Sequence, residues 1–256
     1  LRLVSFQRNG EFKLYRIKDV EREDFYVSLF PKLKERIERN ITGAIDFSEN
    51  VNKETKAWIK DFNTVETAGR RHFQGTKPSV DLVVTSPPYG DSSTTVAYAQ
   101  FSWLSNSWLG LDKRSSSTLD KDLMGGRETP IGPLNFYKIL TYEPLKNAFE
   151  EILKEDEKRA VEVMQFYYDY YLSIKNVASE IKSGGYVCYV VGNRIVKNIK
   201  LPTDQFTAWA FRNEGFKYLE TYIREIPNKR MPSKNSPTNK SGVTNSTMVN
   251  EFIVIC

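Results

Sequence analysis

The chain has 256 residues, of which 40% are hydrophobic and 27% are charged, with a formal net charge of +5. That length suits one large domain or two small ones with a real core, and the basic balance is compatible with a nucleic-acid partner. No apolar run reaches the roughly 20 residues that a membrane span needs. The first residues lack the apolar stretch of a signal peptide, so we expect a cytoplasmic protein with no membrane partner.

Two cysteines, Cys188 and Cys256, and a single histidine, His72, restrict the possible chemistry. Both cysteines stand in apolar surroundings, which predicts buried free thiols rather than a disulfide. One histidine argues against a Ser-His-Asp triad, and no cluster has metal-ligand spacing, so we predict no metal site.

Residues 1–80 are predicted to form an N-terminal hairpin and helical region, a candidate contact surface for a partner. Asn9-Gly10 indicates a hairpin turn within residues 1–17. Residues 20–41 place Phe30, Leu33 and Ile37 on one helical stripe. Pro31 suits either the first turn of that helix or a break between two short helices.

Residues 81–91 combine a short strand with a rigid exit. Leu82, Val83 and Val84 form an apolar run that predicts a buried strand. Pro87 and Pro88 then fix an extended backbone, because proline restricts φ and lacks a backbone donor. Tyr89 is consequently held in a defined direction.

This elbow suits the binding of a flat, electron-poor amine such as the exocyclic amino group of a nucleobase. The Ser86 hydroxyl and a backbone carbonyl at Ser86 or Pro87 can accept its two hydrogens, and Tyr89 can stack on the ring. The structural alternative is a Pro-Pro turn after a core strand, which requires neither the serine nor the aromatic residue.

The remaining pattern predicts alternating helices and strands. An amphipathic helix is expected to end near Gly110, and the longest helical pattern covers residues 143–182, ended by Gly184-Gly185. A buried strand at 186–191, a helix at 203–215 and strands at 218–226 and 249–256 follow. This succession predicts an α/β sheet.

Two loops carry candidate DNA contacts. Residues 227–245 contain four basic residues and no acidic one, and the basic residues are Lys229, Arg230, Lys234 and Lys240. Cations can follow phosphates while Asn, Ser and Thr side chains donate hydrogen bonds. Arg127 follows Gly125-Gly126 in a second polar loop, where segments that approach DNA are often found.

The sequence Thr-Ser-Pro-Pro-Tyr (Thr85 to Tyr89) after an apolar strand resembles the catalytic motif of amino-group DNA methyltransferases that use S-adenosylmethionine. Their consensus is Asp/Asn/Ser-Pro-Pro-Tyr/Phe, and the serine form resembles the N4-cytosine branch more than the N6-adenine branch. The longer run from Thr85 to Ser102 is similar to that of bacterial restriction-modification methylases. The resemblance implies catalytic roles for Ser86, Pro87, Pro88 and Tyr89, and cofactor contacts by Thr85 and Ser86.

The same resemblance implies a Rossmann-like methyltransferase sheet with helices on both faces and double-stranded DNA as substrate. Residues 81–256 would be the catalytic half, with the basic loop 227–245, because the family's Gly-rich cofactor loop is missing from the sequence. A second polypeptide or a segment before Leu1 would then supply S-adenosylmethionine binding. The alternatives are an N6-adenine methyltransferase and a non-catalytic DNA-binding subunit.

Overall fold

The computed structural model describes residues 28–60, 63–66, 78–90, 102, 105–110, 123–126, 133–226, 234–235, 245–246, 248 and 250–256. The chain divides into two compact units, Leu1–Asp61 and Phe62–Cys256. The predicted hairpin at residues 1–17 lies outside the described residues.

The first unit contains the helix α1 (Leu29–Asn50). This confirms the predicted helix over residues 29–41, and the helix continues beyond the prediction to Asn50. Pro31 lies in its first turn, where its missing backbone donor costs little. Its apolar stripe, including Leu33, Ile37 and Ile41, is about half exposed.

The second unit is a mixed α/β structure. Its described elements, in chain order, are β1 (Val80–Thr85), α2 (Pro133–Leu140), α3 (Glu143–Glu155), α4 (Glu157–Ala178), β2 (Ile181–Val191), β3 (Ile195–Val196), β4 (Ile199–Lys200), α5 (Thr203–Asn213), β5 (Glu220–Glu225), β6 (Lys234–Asn235), β7 (Asn245–Ser246) and β8 (Asn250–Ile255). The predicted succession of strands and helices is confirmed. The helix expected before Gly110 is also present at residues 105–108, and Gly110 closes it with φ +82°.

Four strands form the main sheet in the order β1-β2-β8-β5. β1 runs parallel to β2, with Val84 opposite Cys188, and α2, α3 and α4 lie in the crossover that a parallel pair requires. β8 is antiparallel to both of its neighbours, β2 and β5. The sheet is therefore mixed, with a parallel pair at one side.

Gly184 and Gly185 lie inside β2, so the prediction that they end the preceding helix is wrong. The helix α4 ends at Ala178, and the strand begins at Ile181. β2 carries extra residues here, because Val80 stands opposite Ile181 while Leu82 stands opposite Tyr186. Gly184 adopts φ +81°, which glycine tolerates and other residues resist. The glycine pair therefore accommodates a bulge.

The helical pattern at residues 143–182 is divided between α3 and α4 at Asp156. Asp156 has extended backbone angles, φ −158° and ψ 96°, and its carboxylate accepts a 3.0 Å hydrogen bond from the Arg159 backbone N–H. Lys197 Nζ lies 2.8 Å from the same carboxylate group. Asp156 is thus the N-cap of α4. The sequence pattern does not reveal the break between α3 and α4, because apolar residues continue at helical spacing across it.

The core lies between one face of the sheet and helices α2 to α5. Its largest fully buried side chains include Tyr167, Tyr170, Phe206 and Phe211. Tyr167 and Tyr170 each share a 2.8 Å hydrogen bond with a threonine of α5, which satisfies their hydroxyls in the interior. The tyrosine-rich stretch is therefore a core helix, as the amphipathic pattern indicates.

On the opposite face of the sheet, β1 carries exposed apolar side chains. Leu82 is 56% exposed and Val84 is 65% exposed, so the prediction that β1 is buried is wrong on this face. Helices on both faces are also expected, yet the described helices that bury the core lie against one face only. An apolar, β-branched run cannot by itself reveal whether a second layer of structure covers the strand.

The cysteines are free thiols, with Cys188 half-buried and Cys256 buried. Burial raises the pKa of the Cys256 thiol to about 11, so it is an unreactive neutral group at physiological pH. Among the described residues, no cluster of three or more His, Cys, Asp or Glu could hold a metal ion. In the same part of the chain no helix combines the length and the apolar character needed to cross a bilayer.

Candidate active site

The elbow lies at the carboxyl end of β1, the end of a parallel strand at which ligands commonly bind in α/β sheets. Thr85 is the last residue of the strand, and Ser86 follows it with an exposed side chain. Pro87, Pro88 and Tyr89 are half-buried. The serine hydroxyl is therefore available to a ligand, while the prolines and the tyrosine are anchored by packing.

A chain of hydrogen bonds begins at Ser86 and crosses the sheet. Ser86 Oγ lies 3.1 Å from the Tyr89 hydroxyl oxygen, which in turn donates to Glu251 Oε1 at 2.8 Å. Arg224 Nε donates to the other carboxylate oxygen of Glu251 at 3.0 Å. Because Glu251 and Arg224 stand opposite each other on β8 and β5, the sheet itself holds this ion pair in place.

Gly192 allows Tyr89 to reach Glu251. β2 lies between β1 and β8, so the tyrosine must pass over the end of β2, where Gly192 follows the last strand residue. A Cβ at Gly192 would lie 2.8 Å from Tyr89 Cδ2 and 2.9 Å from Met248 Cε. Real Cβ atoms do not approach other atoms so closely, so only glycine leaves room for the ring.

The direction of the hydrogen bonds can be assigned by counting protons. A carboxylate only accepts, so the single Tyr89 hydroxyl hydrogen points to Glu251. The hydrogen between Ser86 and Tyr89 must then come from Ser86. This leaves the lone pairs of Ser86 Oγ as acceptors on the exposed side, which is what an amine donor requires.

The pKa shifts of Tyr89 and Glu251 support these hydrogen-bond directions. Burial raises the pKa of Tyr89, and the hydrogen bond to Glu251 and the nearby carboxylate charge raise it further, so Tyr89 stays a neutral phenol. Burial opposes ionisation of Glu251, but hydrogen bonds from Arg224 and Tyr89, with the positive charge of Arg224, give a net lowering of its pKa. The site therefore contains a carboxylate and a tyrosine that does not act as a base at neutral pH.

The predicted site residues fall into two groups. Thr85 to Tyr89 are brought together as described. The predicted DNA-contact residues Arg127, Lys229, Arg230 and Lys240 lie outside the described residues, and for Lys234 only the backbone is described. Lys234 belongs to β6, which pairs with β7 through Ser246, so the basic loop contains a short antiparallel ladder. The turn before Arg127 is attached to α4, because the Gly125 N–H donates to Asp169 Oδ2 at 2.9 Å.

No short sequence motif marks Arg224, Glu251 or Gly192 as site residues. Glu251 lies 162 residues from Tyr89 along the chain, so no local motif joins them. One signal was available, since Glu251 is the only charged residue in the otherwise apolar and neutral strand segment 249–256. A lone carboxylate in such a strand indicates a specific partner.

Comparison with known proteins identifies a clear relative. No protein-family model matches the chain. A Type II methyltransferase of Kocuria varians, M.MvaI, is 41% identical over 263 residues, an alignment that covers all of this chain and 57% of the relative. The chain therefore spans little more than half the length of the relative that it matches.

Two solved structures of a Thermus thermophilus protein assigned as a DNA modification methylase also match. The selenomethionine form gives a TM-score of 0.32 with 16% identity, covering 74% of this chain and 49% of that chain. The complex with S-adenosyl-L-methionine gives 0.30 with 15% identity, covering 74% and 52%. Scores this low do not establish a common fold. The sequence alignment alone shows that the chain is similar along its whole length to part of a Type II methyltransferase.

Proposed function

We propose that this chain is the catalytic, base-binding part of a DNA methyltransferase that modifies an exocyclic amine, N4 of cytosine. The observation that carries the proposal is the exposed Ser86 hydroxyl, which the Tyr89–Glu251 pair orients so that its oxygen accepts hydrogen bonds. The 41% identity to a Type II methyltransferase supports the same conclusion.

The target base would leave the DNA duplex before reaction, because its amino group cannot meet a methyl donor while it is stacked. Ser86 Oγ and the Pro87 backbone carbonyl would each accept a hydrogen bond from one N–H of the amine. These two bonds would draw the nitrogen lone pair out of the ring plane. Tyr89 would stack on the base. Positioning and directed hydrogen bonds would provide the catalysis, and no covalent intermediate with the protein is needed.

S-adenosylmethionine, when bound, supplies the methyl group. The described residues provide only part of a site for it, since Thr85 and Ser86 offer exposed hydroxyls at the end of β1. Hydroxyls alone do not hold a nucleoside and an amino-acid group, and the sequence contains no Gly-rich loop for them. The rest of the cofactor site would belong to a partner chain or to a segment outside these 256 residues.

Double-stranded DNA would lie against the basic loop 227–245 and the turn that precedes Arg127. Lys229, Arg230, Lys234 and Lys240 would contact phosphates, which position the duplex without reading its sequence. The protein would act in the cytoplasm as the modification enzyme of a restriction-modification system.

The test is methyl transfer from labelled S-adenosylmethionine to DNA by the complete enzyme, with nucleoside mass spectrometry of the product. Ser86→Ala should lower kcat by about a hundredfold or more, as expected for loss of one preorganised catalytic hydrogen-bond partner. The fold should survive, because Ser86 is exposed. Ser48→Ala on α1, also an exposed serine, should methylate at the wild-type rate.

Each possible product answers a separate question. N4-methylcytosine that disappears in Ser86→Ala supports the proposal in full. Detection of N6-methyladenine would identify adenine, rather than cytosine, as the target base and would leave the proposed amine chemistry intact. DNA binding without any methylated base would indicate a non-catalytic subunit, and an unchanged rate in Ser86→Ala would disprove the proposed site.

A further inference from the structure

A short basic hairpin follows β2 at the edge of the sheet that holds the elbow. β1 and β2 are parallel, so their carboxyl ends meet at one edge, and a Cβ at Gly192 would lie 2.8 Å from Tyr89 Cδ2. The chain continues from Gly192 into β3 and β4, which pair as an antiparallel ladder. The β3–β4 hairpin, residues 194–201, therefore begins beside the candidate active site.

The hairpin is held in one conformation by contacts at its base and at its turn. At its base, the Leu201 N–H donates to the Arg194 carbonyl at 2.8 Å. At its turn, Lys197 and Asn198 both adopt positive φ, 48° and 64°, as a two-residue type I′ hairpin turn requires. Lys197 Nζ also lies 2.8 Å from Asp156 Oδ2 at the start of α4. A surface fixed in this way loses little conformational entropy when it binds a ligand.

The hairpin presents positive charge to the edge of the sheet. Residues 194–200 contain Arg194, Lys197 and Lys200 and no acidic residue. Lys200 is exposed, and its Nζ lies 5.8 Å from the centre of the Phe252 ring, a cation–π contact that holds the ammonium near the start of β8. An exposed ammonium in a fixed position suits an anionic ligand.

Lys200 and the candidate active site share this edge but lie on opposite faces of the sheet. Phe252 faces the core, and the neighbouring Glu251, which binds Tyr89, faces the other side, because successive residues of a strand alternate. Both lie at the start of β8, opposite the end of β2. A ligand that contacts Ser86 and Lys200 together must therefore span the edge of the sheet. A DNA duplex is wide enough, since its major groove alone is about 12 Å across.

We propose that the β3–β4 hairpin contacts the phosphate backbone of DNA, with Lys200 as its principal phosphate ligand. The inference rests on the proposed function and adds a second interaction surface to the basic loop 227–245. A duplex carries one negative charge for about every 1.7 Å of its axis, so a duplex with its flipped base at Ser86 brings several phosphates over this edge. The hairpin contact fixes the position of the duplex without reading its sequence.

The test measures the DNA affinity of the complete enzyme at increasing salt, by fluorescence anisotropy with two labelled duplexes of unrelated sequence. Each phosphate that a protein neutralises adds about −0.9 to the slope of log K against log salt concentration. Lys200→Gln should therefore reduce the magnitude of the slope by about one and weaken binding about fivefold near 0.1 M salt, equally for both duplexes. Lys200→Arg keeps the charge and should bind like the wild type.

Lys217→Gln is the matched control, because Lys217 is exposed and precedes β5 at the opposite edge of the sheet. It should keep the wild-type slope. Three results would overturn the inference: a wild-type slope in Lys200→Gln, an equal loss of slope in Lys217→Gln, or a loss of affinity confined to one of the two duplexes.

Ser86→Ala separates this inference from the proposed function. It should impair methylation strongly and leave the salt slope unchanged, because Ser86 carries no charge. A wild-type slope in Lys200→Gln, together with an inactive Ser86→Ala, would refute the hairpin contact alone. A reduced slope in Lys200→Gln, together with a fully active Ser86→Ala, would refute the proposed active site alone.

Discussion

At the scale of single residues, the site depends on Tyr89, whose hydroxyl is bound by a residue far outside the Thr85–Tyr89 motif. Tyr89 packs beside Gly192 and donates to Glu251, whose charge is balanced by Arg224. A ring fixed at its hydroxyl end keeps one orientation, which a stacking partner needs. We therefore propose that Glu251 and Arg224 are positioning residues that act through Tyr89 on Ser86.

This arrangement predicts non-additive mutations. Tyr89→Phe removes the hydroxyl at the centre of the chain, and Glu251→Gln weakens the charge-assisted hydrogen bond that this hydroxyl donates. Each should lower kcat/KM for methylation by about tenfold, equivalent to about 1.4 kcal/mol. The double variant should lose little more than either single variant, because both changes break the same chain.

The measurement is a double-mutant cycle on the complete enzyme, with Tyr218→Phe as control. Tyr218 also donates a hydroxyl hydrogen bond, to Thr221 at 3.1 Å, but does not touch the elbow, so its loss should leave the rate unchanged. Multiplicative losses in Tyr89→Phe and Glu251→Gln would show that the two residues act independently and would refute the positioning role.

The sequence predicts the local half of this site and not the distant half. Ser86 and Tyr89 are three residues apart, and the two prolines between them restrict the backbone, so their proximity follows from the motif. The approach of Glu251 depends on β8 inserting between β2 and β5, a long-range pairing that no short pattern encodes. Its lone charge was a signal of a partner, but not of which partner.

At the scale of elements, β2 shows that glycines typical of helix ends can also lie inside a strand. Two consecutive glycines after a helical pattern predict a helix end, yet they lie inside a strand and absorb its extra residues. Glycine accommodates both roles for one reason, its access to positive φ. Only the pairing with β1 decides between them.

The bulge gives a stability prediction. Gly184→Ala should lower the free energy of unfolding by about 1 kcal/mol, because alanine resists φ +81°. Gly43→Ala is the control, since Gly43 lies inside α1 with nothing within 4 Å of an added methyl group, and alanine favours helices. Denaturant unfolding followed by circular dichroism measures both. Equal stability of Gly184→Ala and the wild type would mean that β2 has no bulge there.

At the scale of the whole molecule, the succession of strands and helices along the chain could be predicted, but the coverage of the sheet could not. Strand succession follows from apolar runs separated by helical patterns. The exposure of Leu82 and Val84 depends on what packs above them. A strand that is covered on both faces and a strand that is covered on one face can have the same apolar sequence pattern.

The buried tyrosines of the core predict that the fold is sensitive to alkali. Burial raises the pKa of Tyr167, Tyr170 and Tyr189 above the ordinary value of tyrosine. A raised pKa means that the folded state keeps its protons longer than the unfolded chain. The stability from these groups is therefore complete below the unfolded pKa of about 10, and it is lost as the pH rises above that value toward the folded pKa.

We therefore expect the midpoint of denaturant unfolding to be flat from neutral pH to about pH 9 and to fall steeply above about pH 10. Tyr170→Phe should reduce that fall, because one buried ionisable group is gone, while Thr207 keeps its own bond to the Thr203 carbonyl at 2.7 Å. Tyr137→Phe removes an exposed tyrosine and should leave the alkaline slope unchanged. If Tyr170→Phe and Tyr137→Phe gave the same slope as the wild type, ionisation of the core would not control the alkaline limit, and the decline would have to come from the surface.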